Sequence, residues 1–495
     1  MFALPLKPQK TSIFYIFNYK NLYFLCSLKY KLYLCGVKPR SRAAPQQLSH
    51  NSLRSVCTDI ATSFQNPTNM ELVELQPLFD TYHRKLSKID LRFKRYLYSQ
   101  INWDARFIGI KGPRGVGKTT MLLQHILENY QDVDQTLYAS LDDLWFATHP
   151  LMDLVDWAYQ HGIMHLYLDE VHRYDQWSVN LKNIYDNYPD MSIVYTSSSL
   201  LIMDNAKVDL SRRQTTYTLY GMSFREFLAY EGVLTLDALT FEDILQNHVL
   251  YAMQITKQVK IAPLFEAYLQ HGYYPFYKES VEDFLPRLRE TVRVVIDDDL
   301  PAVENVTFET IQKVKRLLMI ISERVPFQPT MSDLWAALAT NNELGLRMLY
   351  ALDKAQILGL LTSKPKNYKS PIKQEQSDAC ISFAEREVTR PLVKYLNKPD
   401  KIFLGNPNLM HALCPRVEKG NERETFFYSQ LIVSNEVKYP KKGDFYVNDR
   451  YLFEVGGRRK TFEQIADEPD SFLAVDDTEV GHGSRIPLWL FGFLY

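Results

Sequence analysis

The chain has 495 residues, 46% of them hydrophobic, which is enough for about two to four domains with apolar cores. A net charge of −1 excludes a chain that is basic throughout, so any surface for nucleic acid has to be local. No two of the five cysteines have CxxC spacing, which argues against a zinc site and a disulfide framework.

The first 69 residues differ in pattern from those that follow. Residues 11–37 are apolar but are interrupted by lysines, which argues against a membrane-spanning helix, and no clear signal peptide is present. Residues 39–69 are polar and have the composition of disordered segments. We therefore interpret residues 1–69 as a non-native or disordered leader, with Met70 as the natural start, and expect a cytoplasmic protein without a membrane partner.

A strand, a glycine-rich loop and an amphipathic helix are predicted between Phe107 and Leu127. The loop Gly112–Thr119 fits the pattern GxxxxGK[ST] in full, and this context disfavours a chance glycine-rich turn. Glycines let backbone N–H groups surround phosphate oxygens, and the helix N-terminus adds positive potential. We expect Lys118 to reach the β- and γ-phosphates of ATP and Thr119 to hold Mg²⁺. The residues predicted to bind the nucleotide here are Gly112, Gly115, Gly117, Lys118, Thr119 and Thr120.

A neighbouring strand is predicted in "IMHLYLDEVHR", which is apolar up to its two acids. Asp169 is expected to hold Mg²⁺ through water and Glu170 to polarise the attacking water, although an ordinary acidic strand end is the alternative. A third strand, "MSIVYTSSS", ends in hydroxyl residues. Thr196 or Ser197 is expected there to sense the γ-phosphate, with a plain strand-end cap as the alternative.

Arg212 and Arg213 follow in "LSRR". They are candidates to stabilise charge in phosphoryl transfer, in cis or from a neighbouring copy, and a solvated basic turn is the competing interpretation. Together with "YGMSFREFLAY", these segments resemble one group of prokaryotic AAA+ ATPases that have a core domain, a winged-helix segment and a C-terminal domain of restriction-nuclease type. The resemblance extends from about Met70 to the last residue. It implies ATP binding by Lys118 and Thr119 and hydrolysis through Asp169 and Glu170.

The middle of the chain is predicted to be helical. Apolar residues recur at threes and fours over 241–270, and "HGYYPFY" (271–277) ends that pattern. The three aspartates Asp297–Asp299 are interpreted as a solvated helix end, because adjacent acids cannot face one metal ion from a helix.

A winged-helix unit is predicted next, with helices over 308–322, 330–339 and 342–355 and a strand in "ILGLLTS". The basic loop Lys364–Lys373 would follow as a wing that contacts nucleic-acid phosphates, but winged helices serve equally as protein-interaction modules.

The last segment is expected to resemble the core of PD-(D/E)xK nucleases. Glu424 is predicted on a helix, Asp444 at the start of a strand and Glu454 on the next strand. In that class, carboxylates hold Mg²⁺ and a lysine orients the attacking water. These three residues are therefore candidate magnesium ligands, and binding of nucleic acid or protein without catalysis is the alternative.

The catalytic lysine of that class is missing at its usual position. Gly456 stands two residues after Glu454, where the lysine is expected. Lys460 from the following turn, or Lys438 on the preceding strand, is a candidate replacement, since a long flexible side chain can reach the same point from elsewhere.

The predicted fold class is α/β: a doubly wound P-loop NTPase sheet of AAA+ type, then a helical and winged-helix segment and a C-terminal α/β restriction-nuclease-like domain. The expected segments are the leader 1–69, the ATPase domain 70–235, the helical lid 236–305, the winged helix 306–373 and the nuclease-like domain 374–495. The expected function is Mg²⁺-dependent ATP hydrolysis that moves the later domains, in a chain that forms homo-oligomers. An ATP-gated DNA nuclease in defence and a non-hydrolysing nucleotide-dependent scaffold remain alternatives.

Overall fold

The computed structural model describes residues 12–18, 21–28, 31–37, 72–198, 210, 212–301, 307–324, 328, 330–363 and 398–495. It divides into two compact units, 1–72 and 73–495. In the first unit, strands β1 (Ser12–Asn18), β2 (Asn21–Leu28) and β3 (Lys31–Val37) form an antiparallel meander within the segment predicted to be a leader. Among the described residues, no helix is both long enough and apolar enough to cross a membrane.

The second unit contains a five-stranded parallel sheet. Its strands are β4 (Phe107–Lys111), β5 (Thr136–Ser140), β6 (His165–Asp169), β7 (Ser192–Ser197) and β8 (Thr215–Thr218). The order across the sheet is β5-β6-β7-β4-β8. The accompanying helices are α1 (Leu72–Leu86), α2 (Lys118–Asn129), α3 (Leu151–Gln160) and α4 (Trp177–Asn187). Strands β4, β5, β6 and β7 are almost wholly buried, as expected of a parallel sheet covered on both faces, and sites on such sheets lie at the carboxyl edge.

A helical segment follows the sheet. Its helices are α5 (Phe224–Tyr230), α6 (Phe241–Thr256), α7 (Ile261–Ala267), α8 (Phe284–Val294), α9 (Phe308–Ser322), α10 (Met331–Ala337) and α11 (Asn342–Lys354). The segment 241–270, which was predicted to be helical, is helical in two parts. It is divided into α6 and α7, because Pro263 has no N–H to continue a helix from the preceding turn and fits only in a first turn. The three helices predicted between 308 and 355 are present.

The chain then forms a small sheet and a mixed one. Strands β9 (Leu358–Leu361) and β10 (Lys401–Leu404) pair antiparallel, and the predicted wing Lys364–Lys373 between them lies outside the described residues. Helices α12 (Pro407–Leu413) and α13 (Lys419–Leu431) precede strands β11 (Val437–Lys438), β12 (Phe445–Val447), β13 (Tyr451–Gly456), β14 (Ser471–Val475) and β15 (Arg485–Pro487). Neighbours are antiparallel from β11 to β13 and parallel from β13 to β15.

Helix α12 lies in "KIFLGNPNLMHAL", a segment whose sequence pattern predicts short strands and a turn. The Asn406 side chain accepts a hydrogen bond from the Leu409 N–H at 3.1 Å, and Pro407 occupies the first helical position. An asparagine cap followed by proline is a strong local signal for a helix start, so the prediction was right for the strand Lys401–Leu404 and wrong for the helix that follows it.

Candidate functional site

The phosphate loop joins β4 to α2 at the carboxyl edge of the parallel sheet. Gly115 and Gly117 have φ values of 80° and 95°, in the left-handed region that glycine adopts without strain. The Gly112 N–H donates to the Ser197 carbonyl oxygen at 3.3 Å, which ties the loop to the end of β7. The structure therefore brings the predicted loop and the third predicted strand together.

Lys118 is buried at the base of this loop. Its Nζ donates to the carbonyl oxygens of Gly112 and Pro113 at 2.8 and 2.9 Å. Burial lowers the pKa of Lys118, while the nearby carboxylates of Glu170 and Asp169 act in the opposite direction. The ammonium is thus held inside the concave face of the loop, where phosphate oxygens would be its partners.

Asp169 receives hydrogen bonds from three hydroxyl groups. The Thr119 Oγ1 donates to its Oδ2 at 2.6 Å, and the Tyr138 hydroxyl donates to the same oxygen at 2.8 Å. The Thr196 hydroxyl donates to Oδ1. The Thr119 hydroxyl and the Asp169 carboxylate are adjacent oxygen donors of the kind that Mg²⁺ prefers, so this pair fits the ion expected with a nucleotide. Tyr138 was missed by the sequence analysis, which carried no signal for it.

Glu170 follows directly and has a left-handed backbone, with φ of 49°. Its Oε2 accepts from the Ser198 N–H at 3.2 Å and from the Ser198 hydroxyl at 2.6 Å, and His172 Nδ1 lies 3.3 Å away. Burial alone would raise the pKa of Glu170, but Lys118, His172 and Ser198 outweigh it and lower that pKa. The carboxylate is therefore charged and oriented, and Thr196 also accepts from the Glu170 N–H.

The remaining residues that were predicted to act at the nucleotide site differ in their burial and in their place on the sheet. Ser197 is fully buried and Thr120 is exposed in the first turn of α2. Arg212 is exposed, and Arg213 Nε lies 2.9 Å from Asp186 Oδ1. Because Arg213 precedes β8, which runs parallel to β4, it lies at the amino edge of the sheet, opposite the phosphate loop. The structure does not bring the arginines to the loop, and a role in a neighbouring copy stays a prediction.

Two long-range ion pairs that the sequence analysis missed hold the phosphate loop. Arg114 donates to Asp299 from Nε and Nη2 at 3.1 and 3.0 Å. Asp299 is only 2% exposed, so the prediction of a solvated helix end was wrong for this residue. Arg95 donates to both carboxylate oxygens of Glu226 and to the carbonyl oxygen of Val116 in the loop. No local sequence signal identifies either pair, because the partners are 185 and 131 residues apart.

The C-terminal carboxylates form a second cluster, with a lysine that was not predicted. Lys401 Nζ, from β10, contacts Glu424 on α13 and lies 3.7 Å from Asp444 Oδ1. Burial raises the pKa of Glu424, and the neighbouring Asp444 raises it further, against the opposing effect of Lys401. The Asp444 Oδ2 accepts from the Val455 N–H at 2.9 Å, which orients this carboxylate towards β13.

Lys460, one of the two predicted replacement lysines, reaches Glu454. Its Nζ lies 2.5 Å from Glu454 Oε1, whereas Lys438 pairs with Asp449 at 2.5 and 2.7 Å on an exposed surface. Within the described residues, no group of three or more His, Cys, Asp or Glu side chains is arranged to hold a metal ion. Lys401 therefore lies between two of the carboxylates that were predicted to share magnesium, and Lys460 lies against the third.

The parallel sheet, the glycine-rich loop and the Lys118–Thr119–Asp169 arrangement define a P-loop nucleoside triphosphatase domain of α/β class. The family described as "AAA domain" matches residues 104–228. The chain therefore contains an AAA-type P-loop ATPase domain, followed by residues that the family match does not include.

Similar proteins were found by sequence and by structure. The uncharacterized protein MJ1637 of Methanocaldococcus jannaschii is 28% identical over 271 residues, which is 50% of this chain and 54% of that protein. The aligned region thus spans about half the length of this relative. A Walker-type ATPase of Pyrococcus abyssi aligns with 65% of this chain and 95% of its own, at 11% identity and a TM-score of 0.34. DnaA from Aquifex aeolicus bound to AMPPCP aligns with 52% and 84%, at 14% identity and a TM-score of 0.22.

Proposed function

We propose that this protein binds ATP with Mg²⁺ at the phosphate loop and hydrolyses it. The observation that carries the proposal is the contact between Thr119 and Asp169, with Glu170 directly beside them and Lys118 buried within the loop. These are the four side-chain roles that phosphoryl transfer to water requires.

Each of these residues has a distinct task. Lys118 and the loop N–H groups position the phosphates, and Thr119 and Asp169 hold the ion that neutralises developing charge. Glu170 is charged and held by Ser198, so it can accept a hydrogen bond from the attacking water. Bound Mg²⁺ supplies electrostatic stabilisation of the transferred phosphoryl group. We further propose that hydrolysis moves the helical and C-terminal segments, and that copies of the chain associate.

The test is ATP turnover and ATP binding by the full-length chain and its variants. Glu170→Gln removes the charge that orients water, so we expect kcat to fall by about 10²-fold or more with ATP still bound. Lys118→Ala is expected to lose ATP binding itself. Glu242→Gln, an exposed acid at the start of α6, is the control and is expected to match the unchanged protein.

Unchanged turnover in Glu170→Gln, or unchanged ATP affinity in Lys118→Ala, would contradict the proposal. ATP binding without turnover in the unchanged protein would instead favour the nucleotide-dependent scaffold.

A second candidate function, phosphodiester cleavage, is supported by the C-terminal cluster. Glu424, Asp444 and Glu454 come from a helix and two adjacent strands, and Lys460 lies against Glu454. This juxtaposition of carboxylates and a lysine could bind a divalent ion and orient water if the lysines moved aside. Here the proposed substrate is DNA or RNA.

Cleavage of single- and double-stranded DNA and RNA should be measured with Mg²⁺ or Mn²⁺, with and without ATP. We expect cutting to disappear in Asp444→Ala and to persist in Lys438→Ala, the matched control whose lysine pairs with Asp449 on the surface. No cutting by the unchanged protein, or equal cutting by both variants, would eliminate this function.

A further inference from the structure

The turn Val295–Asp299, which continues α8, is a single π-helical turn whose three aspartates have separate partners. Asp297 Oδ1 lies 2.7 Å from Lys315 Nζ on α9. Asp298 is about half exposed and lies 3.8 Å from Arg173. Asp299 points into the protein, towards the phosphate loop. Single π-helical turns inside helices are frequently found at functional sites, and here the turn directs a buried acid at the nucleotide site.

Asp299 is surrounded by basic side chains. Besides its two hydrogen bonds from Arg114, its Oδ1 lies 3.3 Å from Arg173 and 3.7 Å from His172 Nε2. Burial alone would raise the pKa of Asp299, but His172 and Arg114 outweigh it and lower that pKa to about 2. The side chain is therefore a buried anion at neutral pH, and its removal would leave Arg114 without its carboxylate partner.

His172 connects Asp299 to the proposed catalytic glutamate. The two ring nitrogens face opposite acids: Nδ1 lies 3.3 Å from Glu170 Oε2, and Nε2 lies 3.7 Å from Asp299 Oδ1. The ring is buried, and neither nitrogen makes a hydrogen bond of good geometry, so each acid is within contact distance of His172 without being hydrogen-bonded to it. A base whose orientation is set by a second group, which is itself held by a third, is a recurring arrangement in active sites.

We propose that Asp299 is a positioning residue for ATP hydrolysis. It holds Arg114, and with it the phosphate loop, and through His172 it restrains the carboxylate of Glu170. The helical segment thereby completes a site whose motif residues all lie in the AAA domain. This inference rests on the proposed ATPase function and goes beyond it, because it assigns a required residue 71 positions after the end of the matched domain at residue 228.

The experiment compares Asp299→Asn with Asp298→Asn in the full-length chain. Asp299→Asn keeps the size but removes the charge, so we expect kcat to fall at least 10-fold while the dissociation constant for ATP changes less than 3-fold. Asp298→Asn is the matched neighbour, and its kcat is expected to stay within 2-fold. A merely structural role for Asp299 would lower the melting temperature without this separation of kcat from affinity.

Two further measurements keep the test decisive. In the double variant Arg114→Gln/Asp299→Asn, the fold-losses in kcat of the two single variants are expected not to multiply, because the two residues act as one unit. Amide hydrogen exchange in residues 114–117 is expected to be faster in Asp299→Asn than in Asp298→Asn, whether or not the protein hydrolyses ATP. Normal kcat in Asp299→Asn, equal losses in both variants, multiplying losses, or unchanged exchange would each overturn the inference. A protein without turnover but with faster exchange would contradict only the ATPase function.

Discussion

Gly456 explains why the C-terminal cluster receives its lysine from a different position. A Cβ at residue 456 would lie 2.7 Å from Lys460 Cγ and 2.8 Å from Lys460 Cβ, so the stem of Lys460 occupies the space that a side chain would need. The glycine that replaces the expected lysine therefore makes room for Lys460 to reach Glu454. The absence of a lysine at position 456 and the approach of Lys460 from the following turn thus have one steric cause.

His125 is a second residue whose environment has a measurable consequence. It is buried on α2, with its ring stacked on Trp103 at a centroid distance of 3.9 Å. Its Nδ1 lies 2.9 Å from Asn129 Nδ2. Burial lowers the pKa of His125 from 6.5 to about 4, so the folded protein keeps the ring neutral.

This shift predicts a loss of stability in mild acid. Between pH 6.5 and about 4 the unfolded chain binds a proton at His125 that the folded chain does not, so the free energy of unfolding falls as pH falls. The contribution is at most about 3 kcal/mol. Urea unfolding at pH 7.5 and pH 5 should show a smaller difference in His125→Phe, which keeps the stacking but cannot titrate. An identical pH dependence in both proteins would show that His125 is not responsible.

Helices α5 and α6 begin with the same capping motif, but the acidic residues of the two motifs differ in their tertiary contacts. Each has a capping box, Ser223 with Glu226 and Thr240 with Asp243. Asp243 is partly exposed, whereas Glu226 is 1% exposed and also pairs with buried Arg95. Local sequence therefore predicts both helix starts equally well, and only the packing distinguishes an ordinary cap from a buried ion pair.

The two boxes provide a matched test. Glu226→Gln leaves the Arg95 guanidinium buried without its carboxylate, so we expect a loss of about 3–5 kcal/mol in the free energy of unfolding. Asp243→Asn affects only a partly exposed cap and should cost about 1 kcal/mol or less. Urea unfolding of both variants measures the difference. Similar losses would indicate that capping, and not the Arg95 pair, accounts for the role of Glu226.

At the scale of the whole unit 73–495, the predicted domains share one apolar core. The side chain of Asn408, on α12, donates to the carbonyl oxygens of Tyr268 and Leu269 and accepts from the Tyr273 N–H. Phe426, on α13, packs against Phe265 at a centroid distance of 4.8 Å. The C-terminal segment is thus joined to the helical segment through buried contacts. The proposed effect of Asp299 on ATP turnover belongs to this scale, because it depends on contacts between segments.

The amino-acid sequence by itself determined the elements whose signal is local. The phosphate loop, Asp169 and Glu170 at a strand end, and the helices between 308 and 355 depend on residue types at short fixed spacings. The reach of Lys460 to Glu454 was also foreseeable, because only six residues separate them.

Only the tertiary structure decided which residues far apart in the chain lie together. It placed Asp299 beside Arg114, Lys401 between Glu424 and Asp444, and Arg213 at the edge of the sheet away from the loop. A buried ion pair between residues far apart in the chain leaves no periodic or local pattern, since it depends on how the strands and helices between them pack. For that reason three consecutive aspartates suggested a solvated helix end, although one of them is a buried partner of the phosphate loop.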